Sequence, residues 1–148
     1  METPDMPVEW GAISRAEWAK RFILAGRAIF TLRSQETGIR YTYRVDKKQG
    51  KSFYFVGLLI GPENESDYKY IGIIVDEGKF LVTGNSKLPR ASGPVLAIDF
   101  VMRHLVRGEM PPKVEIWHAG RCGRCNRLLT VPESLVIGLG PECAGRLL

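Results

Sequence analysis

The stretch that decides the fold is Ala28-Ile29-Phe30-Thr31-Leu32-Arg33, a turn over residues 35–38, and then Arg40-Tyr41-Thr42-Tyr43-Arg44-Val45. Side chains alternate with period two on both sides of the turn, which predicts a β-hairpin. Ala28, Phe30 and Leu32 share one face of the first strand. Tyr41, Tyr43 and Val45 share one face of the second, with Arg40, Thr42 and Arg44 opposite. One face is therefore apolar and aromatic, and the other is basic.

Downstream, residues 52–60 are apolar on both faces, which suits a central strand covered on both sides or lying under a helix. A polar loop over 61–67 precedes a fourth strand, Tyr68 to Val75, and Asp76-Glu77-Gly78-Lys79 turns the chain into a fifth, Phe80 to Thr83. Short turns between strands imply an antiparallel meander of about five strands. Upstream, Ser14 and Glu17 have capping-box spacing, and Trp18, Phe22 and Ala25 place an apolar stripe on a helix from Arg15 to Ala25, closed by Gly26. Glu17 and Arg21 form an acid-first pair on its outside. A second helix opens at Ser92 or Gly93 with an early Pro94. Val95, Ile98, Met102 and Leu105 recur at helical spacing, Asp99 faces Arg103 one turn on, and Gly108 ends the helix. The expectation is an α+β domain over 14–110, after an extended lead-in over 1–13. The Pro111-Pro112 hinge then leads to an appendage over 111–148.

The appendage contains every cysteine of the chain. His118, Cys122, Cys125 and Cys143 stand in the order H-x3-C-x2-C-x17-C, a donor set that can close one tetrahedral, structural zinc site. A redox dithiol and three inert core cysteines are the competing readings. The first lacks a βαβ pattern around Cys122, and the second lacks an apolar run around Cys122 and Cys125. Val114 to Trp117 reads as a short strand delivering His118. Cys143 falls in the first turn of a final helix, where the helix dipole favours a thiolate. Knuckle, strand, turn and ligand-bearing helix suggest a treble-clef or zinc-ribbon finger.

These residues resemble a known signature. The run from His118 to Cys125, followed by Leu129-Thr130-Val131-Pro132-Glu133-Ser134 and Gly138-Leu139-Gly140-Pro141-Glu142-Cys143, is similar to an uncharacterised family, a domain of unknown function common in bacteriophage and mobile-element proteins. Asn126 stands where that signature has glycine, which touches the turn and not the ligands. The resemblance implies zinc at the matching His and Cys positions and a phage or prophage setting. It supplies no biochemical activity.

Composition narrows the function classes. The chain has 148 residues, 45% hydrophobic and 25% charged, which fits an ordinary folded protein with at most a small appendage. No apolar run approaches membrane-spanning length, so no membrane partner is expected. The first ten residues carry three acids and no base, unlike a secretory signal, and three cysteines in metal spacing point to a reducing cytoplasm. A net charge of +5 permits attraction to nucleic acid or an acidic protein surface.

Catalysis has little to stand on. A zinc ion with four protein ligands has no open position for water, and His104 lies late in a helix beside Arg103 and Arg107, as a dipole partner would. The zinc-deaminase pattern and the phosphate-cradling P-loop are both missing from the sequence. No small-molecule substrate is expected. Two binding readings remain. In the first, Arg121, Arg124, Arg127 and Arg146 around the finger contact nucleic-acid phosphate, with Arg40, Arg44, Lys47 and Lys48 of the basic hairpin as a second patch. The same arginines would also offset the net negative charge of a three-thiolate zinc site, and period two puts Tyr41 and Tyr43 on the face away from the hairpin's arginines. In the second reading the protein is an anti-defence inhibitor of a host protein complex, such as an anti-CRISPR, and Glu63, Glu65 and Asp67 of the acidic loop meet the partner.

Overall fold

The computed structural model describes residues 11–61, 66–119 and 121–125. Among these, two helices and seven strands build one mostly β unit. In chain order they are β1 (Ala12–Ile13), α1 (Ala16–Ile23), β2 (Arg27–Ser34), β3 (Arg40–Lys47), β4 (Tyr54–Leu59), β5 (Tyr68–Val75), β6 (Lys79–Leu81), α2 (Gly93–Val106) and β7 (Val114–His118). The strands form a single antiparallel sheet in the order β1-β7-β2-β3-β4-β5-β6.

The hairpin forms in the register its alternation demands, Phe30 opposite Tyr43 and Thr31 opposite Thr42. Ala28, Phe30, Leu32, Tyr43 and Val45 are buried. Phe30 stacks on Tyr43 at 5.6 Å between ring centroids. The same face continues through Val56, Leu58, Ile71, Ile74 and Phe80, and both helices press onto it. From α1 come Ala19, Phe22 and Ile23; from α2 come Val95, Ile98, Val101, Met102 and Leu105. Buried apolar side chains of this kind contribute ~1.5–3 kcal/mol each, so this layer is the main source of stability. Polar bonds lock the helices in place. The Tyr43 hydroxyl donates to the Pro94 carbonyl at 2.6 Å, and the Tyr54 hydroxyl to the Leu24 carbonyl at 2.8 Å.

Several expectations need correction. The sheet has seven strands, not about five, because two further strands extend it at the β2 edge. Ala12–Ile13 was placed in an extended lead-in, yet it pairs with β7; two residues show no periodicity to read. Val114–His118 was assigned to the appendage, yet it runs between β1 and β2, its register placing Leu32 opposite Ile116 and Arg33 opposite Glu115. The hinge at Pro111-Pro112 therefore leads back into the sheet. Residues 120 and 126–148, which include the rest of the expected finger, lie outside the described residues.

Helix α1 is shorter than expected. Its N-cap is the extended Arg15, with no side-chain cap bond, so the Ser14–Glu17 capping box does not form. Glu17 instead takes the Arg15 guanidinium at 3.1 Å, and Arg21 lies over the Trp18 ring at 4.9 Å. In α2 the N-cap is Ser92, whose hydroxyl donates back to the Pro89 carbonyl at 2.8 Å, and Asp99 meets Arg103 at 2.8 Å as its spacing predicts. Gly108 ends the helix at a φ of 76°. Strand β4 is covered by helices on one face only: Val56 and Leu58 are buried while Phe55 is 37% exposed. Among the described residues no helix is long and apolar enough to cross a membrane.

Candidate functional site

Two places hold the chemistry. The first is the corner where β7 ends and the Cys-x2-Cys turn begins. His118 is the last residue of β7, opposite Phe30, and is 1% exposed. Its ring lies 5.8 Å from that of Phe22. Cys122 is fully buried and Cys125 half-buried. The Arg124 amide donates to the Cys122 sulfur at 3.4 Å, a contact that stabilises a thiolate. The Gly123 carbonyl accepts the Arg27 amide at 2.7 Å. A Cβ at Gly123 would sit 2.7 Å from a Phe22 ring carbon and 2.8 Å from the Phe22 carbonyl, so only glycine fits between the turn and α1.

Phe22 therefore touches both His118 and the knuckle, and one core side chain joins the two halves of the expected ligand set. The fit to zinc is in the donor types and in the amide donated to Cys122. Among the described residues no three His, Cys, Asp or Glu side chains form a metal-holding group. The fourth expected ligand, Cys143, lies outside the described residues, as do Arg127 and Arg146. Arg121 is exposed and Arg124 half-buried beside the turn.

The second place is the face of β3, β4 and β5 turned away from the helices. Here Arg44 lies opposite Gly57, Asp46 opposite Phe55, and Gly57 opposite Tyr70. A bulge at the Val56/Gly57 step lets β5 turn Tyr68 and Tyr70 outward while Ile71 stays buried. The Arg44 guanidinium pairs with Asp46 at 2.8 Å and lies over the Tyr68 ring at 5.8 Å. Phe55 meets Tyr70 edge to face at 5.7 Å and Phe53 at 5.4 Å, with the Lys48 ammonium 5.4 Å above its own ring. Arg44, Asp46, Phe55, Gly57, Tyr68 and Tyr70 line a cleft of about 440 Å³ on this face. On the opposite face, Lys47 covers Tyr54 at 5.6 Å.

The floor of the cleft is Gly57, where a Cβ would come within 3.1 Å of the Tyr68 Cβ. Tyr70 is held by a 2.7 Å hydroxyl contact with Thr83. The Tyr68 hydroxyl is buried with no hydrogen-bond partner among the described residues. Burial pushes its pKa up, Arg44 pulls it back and Asp46 raises it again, so it stays a protonated donor. Tyr43, on the other face, is raised further, by burial first and then by Tyr41.

The site residues expected from sequence are thus separated. Arg40, Arg44, Lys47 and Lys48 are gathered along β3 and the turn after it; His118 ends β7, and the turn of Cys122 and Cys125 bonds the start of β2 through Gly123; Glu63 and Glu65 lie outside the described residues. Asp67 is half-buried, its carbonyl accepting the Ile60 amide at 2.8 Å. Sequence reasoning placed Tyr41 and Tyr43 away from the hairpin's arginines, as they are, but overlooked the neighbouring aromatics that share the arginine face. The signal was two pairs at spacing i, i+2, Phe53 with Phe55 and Tyr68 with Tyr70, on adjacent strands.

Against known proteins, no curated protein and no solved structure matches the chain. Residues 118–148, the span from His118 that holds all four expected zinc ligands, are similar to a family described as "Family of unknown function (DUF6011)".

Proposed function

We propose that the protein is a non-enzymatic accessory protein, of phage or mobile-element type and acting in the cytoplasm, that binds single-stranded nucleic acid and is clamped by one structural zinc ion. The observation that carries this reading is the outward face of β3–β5, where exposed or half-buried aromatics stand beside Arg44 and Lys48. Proteins that hold single strands without strong sequence preference combine stacking platforms with a basic track for the backbone, and this face has both. A duplex hides its base faces and would leave the aromatics unused.

The zinc reading rests on the spacing of His118, Cys122, Cys125 and Cys143 and on the seat of the Cys122–Cys125 turn against Phe22. The ion would act as a cross-link, and sites of this kind contribute ~10 kcal/mol or more of apparent binding energy. Arg121 and Arg124 belong to the same turn and would offset the site's charge or add a phosphate contact.

Binding to fluorescent single-stranded DNA and RNA, measured against salt, tests the function. With about four phosphates neutralised, log K should fall with log salt at a slope of about −3. No binding at low salt refutes the proposal. Metal analysis of protein purified without chelator tests the clamp, and a result without zinc refutes it. One observation favours the alternative, a protein-binding anti-defence inhibitor: Ile39, Leu96 and Phe100 are exposed, beside a small cleft of about 210 Å³ lined by Ile39, Tyr41 and Ala97. A stoichiometric host protein retained after nuclease treatment, together with no nucleic-acid binding, would decide for it.

A further inference from the structure

We propose that the cleft between β3, β4 and β5 is a pocket for one unpaired nucleobase, with the strand's phosphates held outside it. This rests on the single-strand reading and goes further by naming the site and the part of the strand that enters. The volume of about 440 Å³ falls within the ~300–1,000 Å³ of small-ligand sites. Its walls are rings: Phe55 and Tyr70 are set at 89° to each other, and Tyr68 lies under the Arg44 guanidinium. A flat heterocycle can stack on either kind of surface. The floor is open because Gly57 has no side chain, on a strand whose neighbouring outward position carries Phe55.

Charge decides between base and phosphate. Asp46 borders the cleft and is paired with Arg44 at 2.8 Å, so a phosphate entering here would meet a carboxylate as well as the guanidinium. A nucleobase meets no such penalty, because its N–H groups can donate to Asp46 and its ring nitrogens and carbonyls can accept from Arg44 or the Asn85 amide. The Tyr68 hydroxyl, buried and without a partner among the described residues, is a further donor that a base acceptor would satisfy. Lys48, exposed in the turn after β3 and lying over the Phe55 ring, is placed to follow the backbone outside the pocket.

The test uses the full chain and two labelled probes of equal length and charge, a normal oligonucleotide and one whose central sites are abasic. The normal strand should bind roughly tenfold tighter or more, the scale of one base stacked on an aromatic side chain. Phe55→Ala, at a partly exposed position, should remove most of that difference without loss of fold. Tyr68→Phe, which keeps the ring, should reduce it severalfold. A 2-aminopurine at the central position should be quenched by the wild type and less by Phe55→Ala. Equal affinity for the two strands, or an unchanged ratio in Phe55→Ala, overturns the pocket while leaving single-strand binding intact. Failure of both strands to bind at low salt overturns the underlying reading as well.

Discussion

Replacing Gly123 by alanine tests the seat of the Cys-x2-Cys turn with one methyl group. The new Cβ would lie 2.7 and 2.9 Å from two Phe22 ring carbons and 2.8 Å from the Phe22 carbonyl. Neither neighbour can retreat. The ring is fully buried against Phe30, at 6.3 Å, and His118, at 5.8 Å. The carbonyl accepts the Ala25 amide at the end of α1. Overpacking of a rigid site costs ~1–3 kcal/mol, and this one belongs in the upper half of that range. If the turn lifts off instead, the 2.7 Å bond from the Arg27 amide to the Gly123 carbonyl is lost, about 1 kcal/mol, and buried Cys122 is uncovered. Either route gives about 2–3 kcal/mol, equivalent to a fall of roughly 5–10 °C in Tm for a chain of this size. Thermal unfolding followed by circular dichroism would measure it. Gly84→Ala is the control, because a Cβ there meets nothing within 4 Å and should change stability by less than ~0.5 kcal/mol. A Gly123→Ala protein melting with the control, its Cys122 no more reactive towards a thiol reagent than in the wild type, would refute the packing of the turn on α1.

Two tyrosine-to-phenylalanine changes should act in opposite directions. Tyr43→Phe strips the 2.6 Å bond to the Pro94 carbonyl from a fully buried residue and should cost about 1–2 kcal/mol in urea unfolding. Tyr68→Phe removes a buried hydroxyl with no partner among the described residues and should raise stability by about 1 kcal/mol without ligand; a loss of similar size would mean the hydroxyl is satisfied. Glu115 should make stability depend on acid. Its burial favours the neutral form, but hydrogen bonds from Trp117, Arg33 and Gln35 and the charge of Arg33 overcome this and hold its pKa below the ordinary 4.5. The carboxylate's contribution is thus present above pH 4.5 and is lost as pH falls through the depressed value, so Glu115→Gln should flatten the stability profile below that pH. An unaltered profile would show the ion pair with Arg33, 3.1 Å long, to be without consequence.

Local chemistry made the middle of the sheet legible. Period two in residues 28–45 set which side chains of β2 and β3 turn inward, and helical spacing set the buried stripe of α2. What the sequence hid was long-range. Arg33 meets Glu115 across 82 positions, and nothing local to Val114–His118 says that it belongs between β1 and β2. The Ser14 cap failed because the chain is still extended at Arg15. The cleft was missed because Phe55 sits in a run that reads as apolar on both faces, and only the register shows that its outward side meets Tyr70 and Asp46. At the corner where β7 leads to the Cys-x2-Cys turn, the spacing of His118, Cys122 and Cys125 was readable, whereas the role of Phe22 in joining His118 to the Cys122 turn was not.

The position of β7 sets an order of events on the ribosome. The meander from β2 to β6 joins neighbours in sequence and can assemble while the chain is being made, but β1 has no partner until residues 114–118 emerge. Until then the first strand and the free edge of β2 stand open to any other extended chain. Insertion of β7 closes both edges in one step and brings His118 to Phe22 in the same movement. A metal captured through His118 would thus be acquired only by a molecule whose sheet is already complete.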